Sequence, residues 1–250
     1  MKPQDLERWN RQVVIPQFGV RSQEKLATSK VAVFGVGGVG CATALYLAVA
    51  GVRNLVLVDK DIIALGNLNR QILFQLSDLD QAKASTAAQR LAAIDPAIKI
   101  EVIEKHVGLL DIEDIVADCS FVVDAFDRIE DRLNINQVCF DKKLVSAHGF
   151  AQEFAGEVVV IDPGKTACLN CVLEKDAQEP AVTPIMGVTA GIVGIGLANA
   201  AIKYVTGFGF LQTGCRMFWD LGFEQYLSLP LQRRNDCIVC GNAGSRKGER

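Results

Sequence analysis

Basic residues do not dominate this sequence: 26 Lys and Arg stand against 29 Asp and Glu, for a net charge of −3 and a pI near 5.5. That balance argues against nucleic acid as a partner, because binding a phosphate backbone needs a cationic surface. The opening residues, Met-Lys-Pro-Gln-Asp-Leu-Glu-Arg, hold no apolar core of a signal peptide. Eight cysteines without such a signal fit a reducing compartment, where thiols pack or bind metal rather than pair; a cytoplasmic location is expected. Charge is missing from 180 to 202, which raises the question of a membrane span. Pro184, Asn199, the threonines and the repeated glycines there favour a buried core helix instead, so no membrane association is expected. Internal repeats and low-complexity blocks are also missing. What remains is 250 residues, 50% hydrophobic and 22% charged. That is enough for one large α/β domain, or a domain with a small appendage.

The stretch 31–59 organises the chain. An apolar, β-branched run from Val31 suits a strand buried on both faces of a parallel sheet. Gly35, Gly37 and Gly40 follow it as G-x-G-x-x-G, with Gly38 inside the motif. An alanine-rich helix closed by Gly51 comes next, then a second strand that ends in Asp59. The glycines allow a tight turn and close approach of backbone to a phosphate, and the new helix offers free N–H groups and a positive dipole end. Asp59 is placed to accept hydrogen bonds from ribose hydroxyls. Adenosine phosphate binding follows; ATP and NAD share that ribose, so the motif does not choose between them.

Helices are expected over 4–12, around 23–27, over 81–94 and over 129–141, with an extended segment at 13–16. Strands three to five are expected at 98–103, 121–124 and 144–147. Alternation of strand and helix is the pattern of a parallel, doubly wound sheet. After His148 the rhythm changes. A strand at 154–161 has no helix directly behind it, and 215–221 with 225–229 read as a closing hairpin around Gly222. The fold class is therefore α/β: a Rossmann-like mixed sheet, parallel in its first half, with an antiparallel C-terminal extension. The chain reads as a single domain over 1–250, with a nucleotide-binding half at 1–150 and a metal-stapled antiparallel half at 151–243. A charged, proline-bearing mobile loop is expected at 174–184 and a disordered tail at 244–250.

Two groups of residues carry the chemistry. Cys168-x-x-Cys171 and Cys237-x-x-Cys240 each place two thiolates on a tight turn, which suits tetrahedral Zn²⁺. Four thiolates leave no open coordination position, so the metal is structural; a redox pair is the rival reading. Cys41, Cys119, Cys139 and Cys215 lie in apolar stretches and are expected in the core. The second group is Asp61, Asn67, Arg70, Gln71 and Lys83, followed by Asp124-Ala-Phe-Asp127. Arg70 and Lys83 flank one connection and can converge on a triphosphate beside the glycine loop. Asp127 falls just past strand four, where ligands of open α/β sheets collect, and suits Mg²⁺. Each of these alone is most simply a solvated charge; their joint position is what points to a site.

In this order, Arg8-x-Asn-Arg11-Gln, the glycine loop, Asp59-x-Asp61, Asn67-Leu-x-Arg70-Gln71, Lys83, Asp124-x-x-Asp127 and two C-x-x-C pairs resemble the E1-like adenylating family. That family (ThiF/MoeB/HesA type) includes the molybdopterin- and thiamine-pathway activating enzymes and the core of ubiquitin-activating enzymes. The resemblance spans nearly the whole chain. It implies an ATP-dependent homodimer that adenylates a carboxylate, the expected acceptor being the C-terminal glycine of a ubiquitin-like sulfur carrier protein. It implies that Asp59 holds the ribose, that Asn67, Arg70, Gln71 and Lys83 line the ATP site, and that Asp127 serves Mg²⁺. It also implies that Arg11 reaches into the partner subunit's site. The chain departs from the pattern in three places: no cysteine in 174–184, Arg128 where Asn is usual, and His148 where small residues are common. His148 is expected to be structural, with a role in shaping the acceptor pocket as the sharper alternative, and His106 a surface or packing residue.

The expected reaction needs no general base, since a carboxylate nucleophile is already ionised, and no nucleophile–base pair is evident. Adenylation of a small-molecule or peptide carboxylate is the alternative within the class. A nicotinamide oxidoreductase would explain Gly35 to Asp59 but leave Arg70, Lys83 and four cysteines without roles. A non-catalytic partner-binding member is opposed by the intact Arg70, Lys83 and Asp127 set.

Overall fold

The computed structural model describes residues 1–109, 111–173 and 183–241. Eight strands form one sheet in the order β3-β2-β1-β4-β5-β6-β7-β8. The parallel part consists of β1 (Lys30–Phe34), β2 (Asn54–Val58), β3 (Lys99–Ile103), β4 (Phe121–Asp124) and β5 (Ser146–Gln152). β6 (Ala155–Ile161), β7 (Cys215–Asp220) and β8 (Gln225–Pro230) then continue it antiparallel. The mixed sheet expected from the sequence is therefore the observed fold. β1, β2 and β4 are apolar on both faces because helices cover both, and their inner residues are buried.

One face of the sheet is covered by α3 (Gly38–Ala50), α4 (Lys83–Ile94) and α7 (Gly187–Thr206), the other by α5 (Ile112–Val116) and α6 (Ile129–Asp141). α7 is long and apolar enough to cross a membrane, yet it packs on α3 and the sheet. A Cβ at Gly194 would stand 2.4 Å from the Val39 carbonyl oxygen, and Thr43 Oγ1 donates to the Gly194 carbonyl at 3.1 Å. Glycine at this crossing lets the two helices meet backbone to backbone. From Gly187 on, the charge-free stretch is thus a core helix.

The N-terminal segment differs from expectation between its helices. α1 (Pro3–Val13) ends in a turn, not an extended run: Val14 N donates to the Asn10 carbonyl and Phe18 N to Ile15. That turn brings Phe18 into the core ahead of α2 (Gly19–Thr28), which is longer than the short helix expected. The two helices cap the end of α3. Trp9 Nε1 donates to the Val49 carbonyl at 2.9 Å and Gln23 Nε2 to Ala50 at 2.8 Å, taking up carbonyls left without helical partners. Gly51 closes α3 at φ +105°, and a Cβ there would lie 2.3 Å from Gln23. Arg53 fastens the assembly by binding Asp5 at 2.7 Å and Asp95 at 2.9 Å. The expected mobile loop (except Thr183 and Pro184) and the expected tail lie outside the described residues.

Candidate active site

The glycine loop shows what each glycine is for. Gly35 sits at φ +90°, and a Cβ there would stand 2.8 Å from the Ala125 carbonyl oxygen of the β4–α6 connection. A Cβ at Gly40 would fall 1.8 Å from the Gly35 carbonyl, so the third glycine lets α3 start tight against the loop and lies behind the site. At Gly37 the nearest atom to a Cβ is Gln71 Nε2, 3.8 Å away, so the loop faces open space. That space is a cavity of about 600 Å³ at the carboxyl ends of the parallel strands, within the size range of small-molecule sites.

Its wall brings together Gly35, Gly37, Gly38, Asp59, Asp61, Asn67, Arg70, Gln71, Lys83 and Asp127. These come from the loops after β1, β2 and β4 and from the starts of α3 and α4. Asp59 is buried, and its carboxylate accepts from Val36 N at 2.7 Å and Asp61 N at 2.9 Å. The acid expected to read a ribose therefore also ties the glycine loop to the end of β2. Burial pushes its carboxyl above the ordinary carboxylate value, against the pull of Lys83. Lys83 is buried, with Nζ 3.0 Å from Asp61 Oδ2. Arg70 is anchored through Nη1 to the Gly66 carbonyl and Asn69 Oδ1, and its stem crosses over Gly38. Gln71 Oε1 is a buried acceptor without a partner. An orphaned acceptor on the wall, a loop stripped of Cβ atoms and six cations (Lys60, Arg70, Lys83, Lys105, Arg128, Arg132) against four carboxylates (Asp59, Asp61, Asp127, Asp131) fit a polyanionic nucleotide.

Some wall residues were not singled out by sequence. His106 follows β3 and was expected to be a surface or packing residue; it lines the cavity instead, with Nε2 2.9 Å from Arg128 Nη1. Asp131 and Arg132 sit in the first turns of α6, buried and facing the cavity. Burial raises the Asp131 carboxyl. Their signal was helical spacing: they fall four and five positions after Asp127, on the helix that Asp127 leads into. His148 is fully buried and is no part of the cavity wall.

Arg11 is exposed on α1 and does not line its own chain's cavity, whereas Arg8 is used locally, bonding the Ile94 carbonyl and approaching Asp95. Cys168, Cys171, Cys237 and Cys240 form a separate cluster whose sulfurs all lie within 4.8 Å of one another. The closest pairs are Cys168–Cys237 at 3.5 Å and Cys171–Cys240 at 3.3 Å. Four thiolates around zinc stand about 3.8 Å apart for bonds near 2.3 Å, so this donor set fits the ion. Asn136 of α6 supports one turn of the cluster, accepting from Leu169 N at 3.0 Å. Cys41, Cys119 and Cys139 are buried as expected, and burial pushes each thiol up to about 12. Cys215 is only half-buried, because β7 lies near the sheet's open edge.

A glycine loop, an acid at the end of β2 and a cationic wall give this α/β domain a cavity suited to a nucleotide. Residues 9–239 match the ThiF family, and the chain belongs to it. It is 34% identical over 250 residues to the sulfur carrier protein ThiS adenylyltransferase of Escherichia coli K12, covering 98% of this chain and 99% of that protein. The molybdopterin-synthase adenylyltransferase of the same organism is 31% identical, with 96% and 98% covered. The SAMP-activating enzyme E1 of Haloferax volcanii is also 31% identical, with 96% and 90% covered. Among solved structures, E. coli MccB shares the fold at TM-score 0.82 and 22% identity over 94% of this chain and 72% of that one.

Proposed function

We propose that this chain is an ATP-dependent adenylyltransferase whose acceptor is the C-terminal carboxylate of a ubiquitin-like sulfur carrier protein. The convergence of Arg70, Lys83 and Asp127 on the glycine-loop cavity carries the reading. A carboxylate oxygen attacks the α-phosphorus of ATP, the bond to the β-phosphate's bridging oxygen breaks, and pyrophosphate leaves with that electron pair. The product is an acyl-adenylate. Asp59 and Gln71 orient the nucleoside, and the glycine loop and the start of α3 receive phosphate oxygens. Arg70 and Lys83, with Arg11 of a second copy in a homodimer, stabilise charge on the five-coordinate phosphorus. Asp127 would hold Mg²⁺, which would neutralise phosphate charge. The four-cysteine cluster holds one structural Zn²⁺.

The whole of 1–250 acts as one adenylation domain in the cytoplasm. None of its thiols is available to take the acyl group: four would bind zinc, three are buried with ionisation suppressed, and Cys215 on β7 is outside the cavity wall. An external sulfur nucleophile therefore consumes the acyl-adenylate.

The test is ATP–pyrophosphate exchange with and without a purified sulfur carrier protein. Carrier-dependent exchange supports the reading. Exchange driven only by small carboxylates would replace the acceptor, and none with either would remove the activity.

A further inference from the structure

Behind the cavity lies a polar cluster with no part in the reaction described above. Asp124, the last residue of β4, is fully buried and pairs in register with His148 of β5. Its Oδ1 accepts from Phe126 N at 3.1 Å, which shapes the bend leading to Asp127. Its Oδ2 faces two donors. His148 Nδ1 stands at 2.9 Å and Arg132 Nη1 at 3.4 Å. A carboxylate only accepts, so Nδ1 carries a proton, and Nε2 is hydrogen-bonded to Ser146 Oγ at 2.9 Å.

The two distances decide which donor holds the carboxylate. Unhindered guanidinium–carboxylate bonds close to about 2.8 Å, so at 3.4 Å Arg132 shares Oδ2 with the imidazole without closing onto it. Arg132 reaches instead to the Gly149 carbonyl at 2.6 Å and lies over the Phe150 ring at 4.2 Å. There it lines both the nucleotide cavity and a second cavity of about 650 Å³ walled by Phe150, Phe154, Phe218 and Phe223. Among the described residues its Nη1 and Nη2 each have a partner, Asp124 and the Gly149 carbonyl.

We propose that His148 is a positioning residue for acceptor recognition: by occupying Asp124 Oδ2 it keeps the Arg132 guanidinium at the junction, where Arg132 receives the acceptor's carboxylate. This rests on the adenylation reading above. Without the imidazole, Arg132 closes onto Asp124, whose buried charge needs a partner, and withdraws from the junction.

The experiment compares His148→Leu and His148→Asn with wild type, measuring KM for carrier and for Mg²⁺–ATP in the exchange assay and melting temperature. His148→Leu should raise the carrier KM about tenfold, the effect of one lost hydrogen bond to a charged group, with the ATP KM within about twofold. Asn offers an amide N–H where Nδ1–H stood and should recover most of the loss. A carrier KM unchanged in His148→Leu, parallel rises in both constants, or an Asn variant no better than Leu would overturn the proposal. Nitrogen-15 NMR of the full chain gives a readout independent of activity: the His148 Nδ1–H tautomer, and an Arg132 Nε–H resonance that moves in His148→Leu. A bare Nδ1 or an unmoved Arg132 resonance sinks the proposal even where exchange is absent. Wild type that fails to exchange with any carrier, while both NMR signatures hold, counts against the adenylation reading and leaves the His148–Arg132 linkage standing.

Discussion

The two halves of the sheet keep their shape by different means. Strands β1, β2 and β4 are buried on both faces, so hydrophobic packing holds them and their carboxyl-end loops are free to carry charge toward a ligand. β8 is exposed along its whole length, and β7 is only half-buried. That half relies on cross-links: Arg216 to Glu157 at 2.7 Å, Arg234 to the Asn170 carbonyl at 3.0 Å and the four-thiol cluster. Where burial supplies the stability, polar side chains serve the site; where burial is thin, they hold the chain together.

This contrast can be broken at its strongest point first. Asp127 is exposed on the cavity rim, so Asp127→Ala should lower pyrophosphate exchange by roughly two to three orders of magnitude, through lost charge stabilisation. Its melting temperature should not change. Near-normal exchange would take Asp127 out of the site. The opposite split is expected at the cysteine cluster. Cys237→Ser, or metal removal by a chelator, should lower melting by roughly 10 °C, since metal binding is coupled to folding. Titration calorimetry should find ATP affinity little changed. Metal-free protein that melts normally would undo the cross-link argument.

A third test asks whether the nucleotide half is complete within one chain. Mixing Arg11→Ala with Lys83→Ala chains should restore about a quarter of wild-type exchange, because half of the randomly paired dimers carry one intact site. No recovery, with subunit exchange verified by native mass spectrometry, would confine Arg11 to its own chain.

The smallest effect concerns the N-terminal helices. Arg53 holds the Asp5 carboxyl below the ordinary carboxylate range. At Asp95 burial pushes the carboxyl up, but Arg53, the Ala97 N–H and Arg8 together hold it below the ordinary range. Because the folded values are depressed, this stabilisation is present above about pH 4, the unfolded carboxylate value, and is lost as pH falls through the folded ones. Thermal melts of Arg53→Met across pH 3 to 7 should show a few degrees lost at neutral pH and a flatter acid limb. Parallel curves would mean that Arg53 acts through packing alone.

Much of this was readable residue by residue. G-x-G-x-x-G, the acid closing β2 and the paired cysteines obey local geometry: a turn needs glycine, and two thiolates on one turn need a fixed spacing. The change from parallel to antiparallel could be read where helices stop separating the strands. What the sequence by itself determined is therefore the class of fold, the glycine turn and the two C-x-x-C turns, each built from neighbours in the chain; the fold then brings the two cysteine pairs together across 69 positions. Other features come from contacts between distant segments. His106 meets Arg128 across 22 positions, His148 meets Asp124 across 24, and Thr43 meets Gly194 across 151. Spacing along the chain carries no trace of these, because strand order and register bring their backbones together. Tertiary structure alone decided that His106 lies in the cavity wall, and that a buried histidine and Arg132 meet at one carboxylate oxygen of Asp124.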